Sequence, residues 1–273
     1  MASIATSHSD MDPSPRVVID IDDADLDASA ETVIVWQLSK WGQVPVNRVA
    51  RSVAGGLVIT DYEVPAGVPV TYRVQQFDGD GIEMGYALSI SAAVTIPFGY
   101  VVVQDPLAPA KAVLVAAAPD FSGELRRSRP TQVYRAGNRT FAMSGLYSAL
   151  QNVPLTVLTD DETTREALAA VLEQTTILVR TPPEMRLPGA FYAVVEDVID
   201  QNRARLALET DRWPLTGTEV SRPAIDILVP IYTYDRFKAY LDTLHPPTPG
   251  TYDDAAAVWA TYIDALRNPP PEV

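Results

Sequence analysis

The side chains best suited to proton or group transfer are scarce in this chain and poorly placed for it. Its 273 residues include two histidines and no cysteine. His8 falls in a small, polar N-terminal stretch, and His245 in the run His245-Pro246-Pro247-Thr248-Pro249-Gly250. Neither has neighbours that would orient an imidazole as a general base, so a Ser-His-Asp arrangement has no evident seat. HExxH, GxGxxG, the phosphate-binding loop and GxSxG are absent. Met143-Ser144-Gly145 lacks the first glycine of a nucleophile elbow and reads as a turn. The lack of cysteine also excludes disulfides and thiolate metal sites.

Carboxylates are plentiful, in three groups. Asp20, Asp22, Asp23, Asp25 and Asp27 could offer alternate oxygens to calcium, but the EF-hand spacing and its closing Glu are missing, and the stretch reads as a solvated acidic loop. Asp78 and Asp80 alternate with Gly79 and Gly81 and read as turn formers. Asp160, Asp161 and Glu162 sit where a helix would begin and its dipole would favour anions. A carboxylate-pair glycosidase stays open in principle, because the spatial separation it needs cannot be read from a sequence. The expectation is a protein that is not an enzyme and carries no cofactor.

One basic cluster stands out: Arg126, Arg127, Arg129, Arg135 and Arg139, with Tyr134 inside it. It reads either as a solvated β-hairpin or as a contact between subunits, for which the planar guanidinium is well suited. The charge is uneven along the chain. Residues 1–98 hold 5 basic and 13 acidic side chains, whereas 99–232 hold 13 and 16. An acidic front would complement the arginines of a neighbouring copy. The overall net charge of −14 argues against nucleic acid as a partner. No stretch approaches the ~20 apolar residues of a membrane span, and residues 1–14 lack the basic and apolar regions of a secretory signal. Assembly in a cytoplasm is the expectation.

The elements that must position these groups read mainly as strands. Residues 1–15 are expected to be a flexible N-terminus. From Arg16 to residue 98, short runs alternate with turn signals: 17–21, 32–38, 44–49, 57–60, 68–77 and 82–96. This is the pattern of a β-sandwich. Between two of the runs, the stretch Asp61-Tyr62-Glu63-Val64-Pro65-Ala66-Gly67-Val68-Pro69-Val70-Thr71-Tyr72 should cross from one sheet to the other. Tyr62 or Tyr72 should then enter the core, its hydroxyl reaching a backbone partner. The layout resembles the crossover of fibronectin type III domains, with Trp36 available as the core tryptophan.

Residues 97–109 read as a linker or the entry to a second domain, with breaks at Pro106 and Pro109. Residues 99–232 read as a β-rich α+β domain with strands near 111–117, 132–134, 155–158, 177–180, 191–199, 203–209 and 225–232. One helix should start at Thr159 with a capping box to Glu162, its apolar face made by Leu168, Val171, Leu172 and Thr175. Residues 233–273 read as a helical arm in two pieces, separated by the prolines of 246–249. Tyr234 and Phe237 lie on the face of the first piece, and Tyr252 and Trp259 on that of the second. These aromatics are expected at an interface, because helices so short need a surface to pack on.

In their order along nearly the whole chain, these features resemble the minor tail proteins of long-tailed phages of actinobacteria. The features are the 61–72 stretch, Gln104-Asp105-Pro106-Leu107-Ala108-Pro109, the helix followed by Ile177-Leu178-Val179-Arg180-Thr181-Pro182-Pro183, and Thr-Tyr-Asp at 233–235 and 251–253. The resemblance implies a virion component near the distal tail end, of the distal tail or baseplate-hub type. Its partners would be other copies in a ring and neighbouring tail tube, hub or fibre proteins. The alternative is a carbohydrate- or receptor-binding adhesion module. Trp36, Trp41 and Trp213 are too scattered in sequence to mark a glycan platform.

Overall fold

The computed structural model describes residues 5–11, 14–54, 56–123, 126–128, 131–136, 139–144, 149–185, 187–195, 197–201 and 210–223. The fold is mainly β, with antiparallel sheets and, among the described residues, one α-helix.

The first eight strands are β1 (Ala5–Ser9), β2 (Arg16–Ile21), β3 (Thr32–Ser39), β4 (Gly42–Pro45), β5 (Arg51–Ser52), β6 (Leu57–Asp61), β7 (Val70–Phe77) and β8 (Glu83–Ala92). They make a three-stranded sheet, β1-β2-β6, and a second sheet, β4-β3-β7-β8, with β5 paired to β3. Alternation of period two turns Val17, Ile19 and Ile21 of β2 and Val33 and Val35 of β3 into one shared core with Val70, Tyr72 and Val74 of β7. Part of the N-terminus expected to be flexible forms a strand. Ala5–Ser9 pair with Asp20–Arg16, giving hydrogen-bond partners to an edge of β2 that would otherwise stay open.

The second half contains β9 (Tyr100–Gln104), β10 (Ala112–Ala117), β11 (Arg126–Ser128), β12 (Thr131–Ala136), β13 (Arg139–Ser144), β14 (Ala149–Gln151), β15 (Val153–Pro154) and β16 (Val157–Thr159). Helix α1 (Glu162–Leu172) follows, then β17 (Thr176–Arg180), β18 (Ala190–Val195), β19 (Asp211–Trp213) and β20 (Thr216–Val220). Val153 faces Gly217, the Leu155 N–H donates to the Leu215 carbonyl at 2.8 Å, and Val157 faces Trp213. β15 and β16 are thus two parts of one strand, and β19 and β20 two parts of its partner. With β10 on one side and β18-β17-β9 on the other, the sheet closes into an antiparallel barrel.

Odd-numbered residues fill the barrel: Val101, Val103, Val113, Val115, Ile177, Val179, Phe191 and Ala193 are all buried in one cluster. α1 packs Leu168, Val171 and Leu172 into the same interior. Thr175, expected on that face, is exposed beyond the helix end. The helix starts later than expected. Asp161 is the N-cap, its carboxylate accepting from the Thr164 N–H at 2.7 Å. Thr159 instead ends β16, where its hydroxyl accepts from Trp213 Nε1 at 3.0 Å.

The linker expected over 97–109 contains β9, which lies between β10 and β17. β11 pairs with β14, and beyond them β12 and β13 form a two-stranded sheet of their own. The strands expected over 203–209 and 225–232, and the helical arm over 233–273, lie outside the described residues.

Candidate functional site

Even-numbered residues of β9, β17 and β18 point out of the barrel, yet Val102, Gln104, Leu178, Arg180 and Tyr192 are buried. They are covered by the sandwich, and specifically by the crossover from β6 to β7. The Ala66 N–H donates to the Gly189 carbonyl at 3.3 Å. Gly67 has φ +69°, and a Cβ there would stand 2.3 Å from Pro183 Cδ; one on Gly189 would stand 2.5 Å from Trp41 Cη2. Only glycine lets the two halves approach this closely. Arg48 Nη2 donates to the Pro223 carbonyl at 2.8 Å and Arg222 Nη1 to that of Pro45 at 2.5 Å.

The seam holds a buried charge network. Asp61 accepts from the Tyr72 hydroxyl at 2.7 Å, Gln37 Nε2 at 2.5 Å and the Glu63 N–H at 2.8 Å. Tyr72 therefore enters the core as expected, but its hydroxyl finds a carboxylate instead of the backbone. Arg180, fully buried, donates from Nη1 to Gln104 Oε1 at 2.8 Å, while its Nε and Nη2 make no hydrogen bond. Burial pushes its pKa down to about 10, against the opposing pull of Asp61 and Glu63. Arg222 Nε lies 2.7 Å from Glu63 Oε2, an ion pair in distance although the N–H is off the hydrogen-bond axis. Burial raises the Glu63 carboxyl above its ordinary value despite Arg222. Burial, then the charge of Glu63, raises Tyr192. The network is only partly satisfied: Asp61 is fully engaged, whereas Arg180 Nε and Nη2 and the Tyr192 hydroxyl make no hydrogen bond.

A cleft of about 700 Å³ opens along the seam. Lys40, Trp41 and Gln43 line its sandwich side, and Arg127, Tyr192 and Glu219 its barrel side. Its mixed charge favours no single class of ion.

The basic cluster is brought together in part. Arg127 lies on β11, exposed beside the cleft. Arg126 occupies the neighbouring position of the same strand, and Arg129 lies outside the described residues. Tyr134 and Arg135 stand on β12 and Arg139 on β13, all exposed. Tyr134 faces Phe141 across the hairpin, at 49% and 52% exposure, with Val133 at 66%. Tyr234, Phe237, Tyr252 and Trp259 lie outside the described residues.

Of the tryptophans, Trp41 sits at the seam and Trp213 in the barrel core. Trp36 faces outward on β3, its Nε1 donating to Gln75 Oε1 at 2.7 Å, so it does not fill the core role expected of it. Arg73 stacks 5.0 Å over the Tyr86 ring on the same face. The sequence reading did not find Arg180, Glu63, Arg222 or Tyr86 as a set, because each is isolated among unlike neighbours. The available signal was Arg180 closing a four-residue run buried on both faces.

Among the described residues no three His, Asp or Glu side chains gather as a metal site, and no helix is long and apolar enough to cross a membrane. No family model, curated protein or solved structure matches the chain.

Proposed function

We propose that this chain is a structural subunit of a phage virion tail, placed near the distal end, that oligomerises and contacts neighbouring tail proteins such as tube, hub or fibres. The observation that carries this reading is the β12–β13 hairpin. It is a two-stranded sheet with an aromatic cross-strand pair and two arginines turned to solvent. An isolated hairpin is marginal in water, so one with this surface calls for a partner. The seam also suits a load-bearing part, since its buried carboxylates are engaged by Tyr72, Gln37 and Arg222. The strand order β1-β2-β6 facing β4-β3-β7-β8 supports the fibronectin III-like reading of the first domain.

Imaging of phage particles labelled on this chain tests the proposal. Label at the distal tail is the expected result; label on the capsid, or particles without label, would overturn it.

A second reading, glycan or receptor binding, is favoured by one face of the sandwich. Trp36 and Tyr86 lie two strands apart, about 10 Å at sheet spacing, with Arg73 and Gln75 between them. Retention of the full chain on host cell-wall polysaccharide, lost in Trp36→Ala and Tyr86→Ala, would favour this reading over pure assembly.

A further inference from the structure

We propose that the β12–β13 hairpin of one copy docks on the acidic end of a second copy's sandwich, a contact that rests on the assembly reading above and names its partner surface. The hairpin puts Arg139 on one face with Tyr134 and Phe141, and Arg135 on the other with Val133, all exposed. The ion pairs among the described residues join Arg165 to Glu162 and Asp200, Arg212 to Asp120, and Arg222 to Glu63. Neither hairpin arginine takes part in them.

A matching surface lies at the turn between β7 and β8. Asp78 and Asp80 of the turn stand with Ala28–Glu31 around an open groove, and Glu83 follows on β8. These carboxylates are likewise absent from the ion pairs above. Exposed apolar side chains adjoin them: Ile82 at 63% and Met84 at 36%. Each surface thus pairs unneutralised charge of one sign with apolar area, and the two signs are opposite.

Geometry favours a second molecule as the occupant. β7 leaves the seam at Val70 and runs eight residues to Phe77, which puts the acidic turn about 25 Å from the seam at ~3.3 Å per residue. The base of the hairpin is at the seam, since Arg127 and Leu150 of the paired strands β11 and β14 line the cleft there. A contact between unlike surfaces on identical chains is heterologous. It closes into a ring when its rotation permits and otherwise continues as a filament.

The test is sedimentation velocity of the full chain across a concentration series, with circular dichroism confirming the fold of each variant. Wild type should self-associate, and more weakly at ~0.5 M than at ~0.05 M salt. Arg135→Glu with Arg139→Glu should weaken association at least about tenfold. So should Asp80→Lys with Glu83→Lys; Asp78 is spared because its carboxylate accepts from the Asp80 and Ile82 N–H groups and holds the turn. Mixing the two variants should restore association, because the reversed hairpin of one meets the reversed turn of the other. A hairpin reversal that disrupts association while the turn reversal leaves it intact would overturn this partner surface and leave the assembly reading standing. A wild type that stays monomeric at every concentration would overturn the proposal as well.

Discussion

The seam and the hairpin use the same residue types in opposite ways. At the seam all four are turned inward: Arg222 lies against Glu63, Tyr72 donates to Asp61, and Arg180 and Tyr192 are buried within the field of the same carboxylates. On the hairpin, Arg135, Arg139, Tyr134 and Phe141 are turned to water. Buried charge of this kind is costly to leave uncompensated, so the seam joins the two domains in one geometry. Exposed charge costs little in the isolated chain and is available to a partner. Arginine and tyrosine therefore mark an interface in both places, one inside the molecule and one directed away from it.

Substitutions should separate the two regions by the size of their effect. Arg180→Ala should cost about 2–5 kcal/mol of stability in denaturant titrations, since it leaves a cavity at a fully buried position and strips Gln104 of its donor. Arg180→Met, which keeps the volume, should cost less. A loss under ~1 kcal/mol for the alanine variant would mean that the seam network is slack. Tyr72→Phe should cost about 1–3 kcal/mol, because it removes one of three donors to the buried Asp61.

Glu63→Gln tests the seam through pH. The folded protein holds the Glu63 proton more tightly than the unfolded chain does, because burial raises this carboxyl. The stability from that proton is complete below the ordinary carboxyl value and lost as pH rises through the raised one. As pH rises above the ordinary carboxyl range, wild type should lose stability relative to the glutamine variant. A gap between them that does not change with pH would show that Glu63 is not strained by burial.

The smallest effect belongs to the hairpin. Arg135→Ala and Arg139→Ala should each shift the stability of the dilute monomer by no more than ~0.5 kcal/mol while weakening self-association. A larger loss would place the hairpin's role inside its own chain.

Much of the sandwich was legible, because its strands alternate cleanly and its turns carry Pro, Gly and Asp. The crossover at 62–69 was legible as a crossing between sheets, but not as the surface that meets the barrel. That role depends on Gly67 against Pro183 and Gly189 against Trp41 and Pro65, pairs distant in sequence that meet only in the fold. β9 was hidden because prolines flank it, although Val101-Val102-Val103-Gln104 is buried on both faces. Barrel closure could not be read at all, since it rests on the register of Val153–Thr159 against Asp211–Val220. The hairpin arginines were conspicuous because they cluster in sequence. Arg180 was not, because its partners come from β6, β9 and the crossover.

Amide hydrogen exchange of the full chain at low and high concentration tests the contrast between inward seam and outward hairpin most directly. β9 and β17 should be protected to the level of global unfolding at both concentrations. Residues 131–136 and 139–144 should exchange fast when dilute and slow markedly as copies associate. Hairpin amides that exchange alike at both concentrations, in a sample shown to self-associate, would contradict the account.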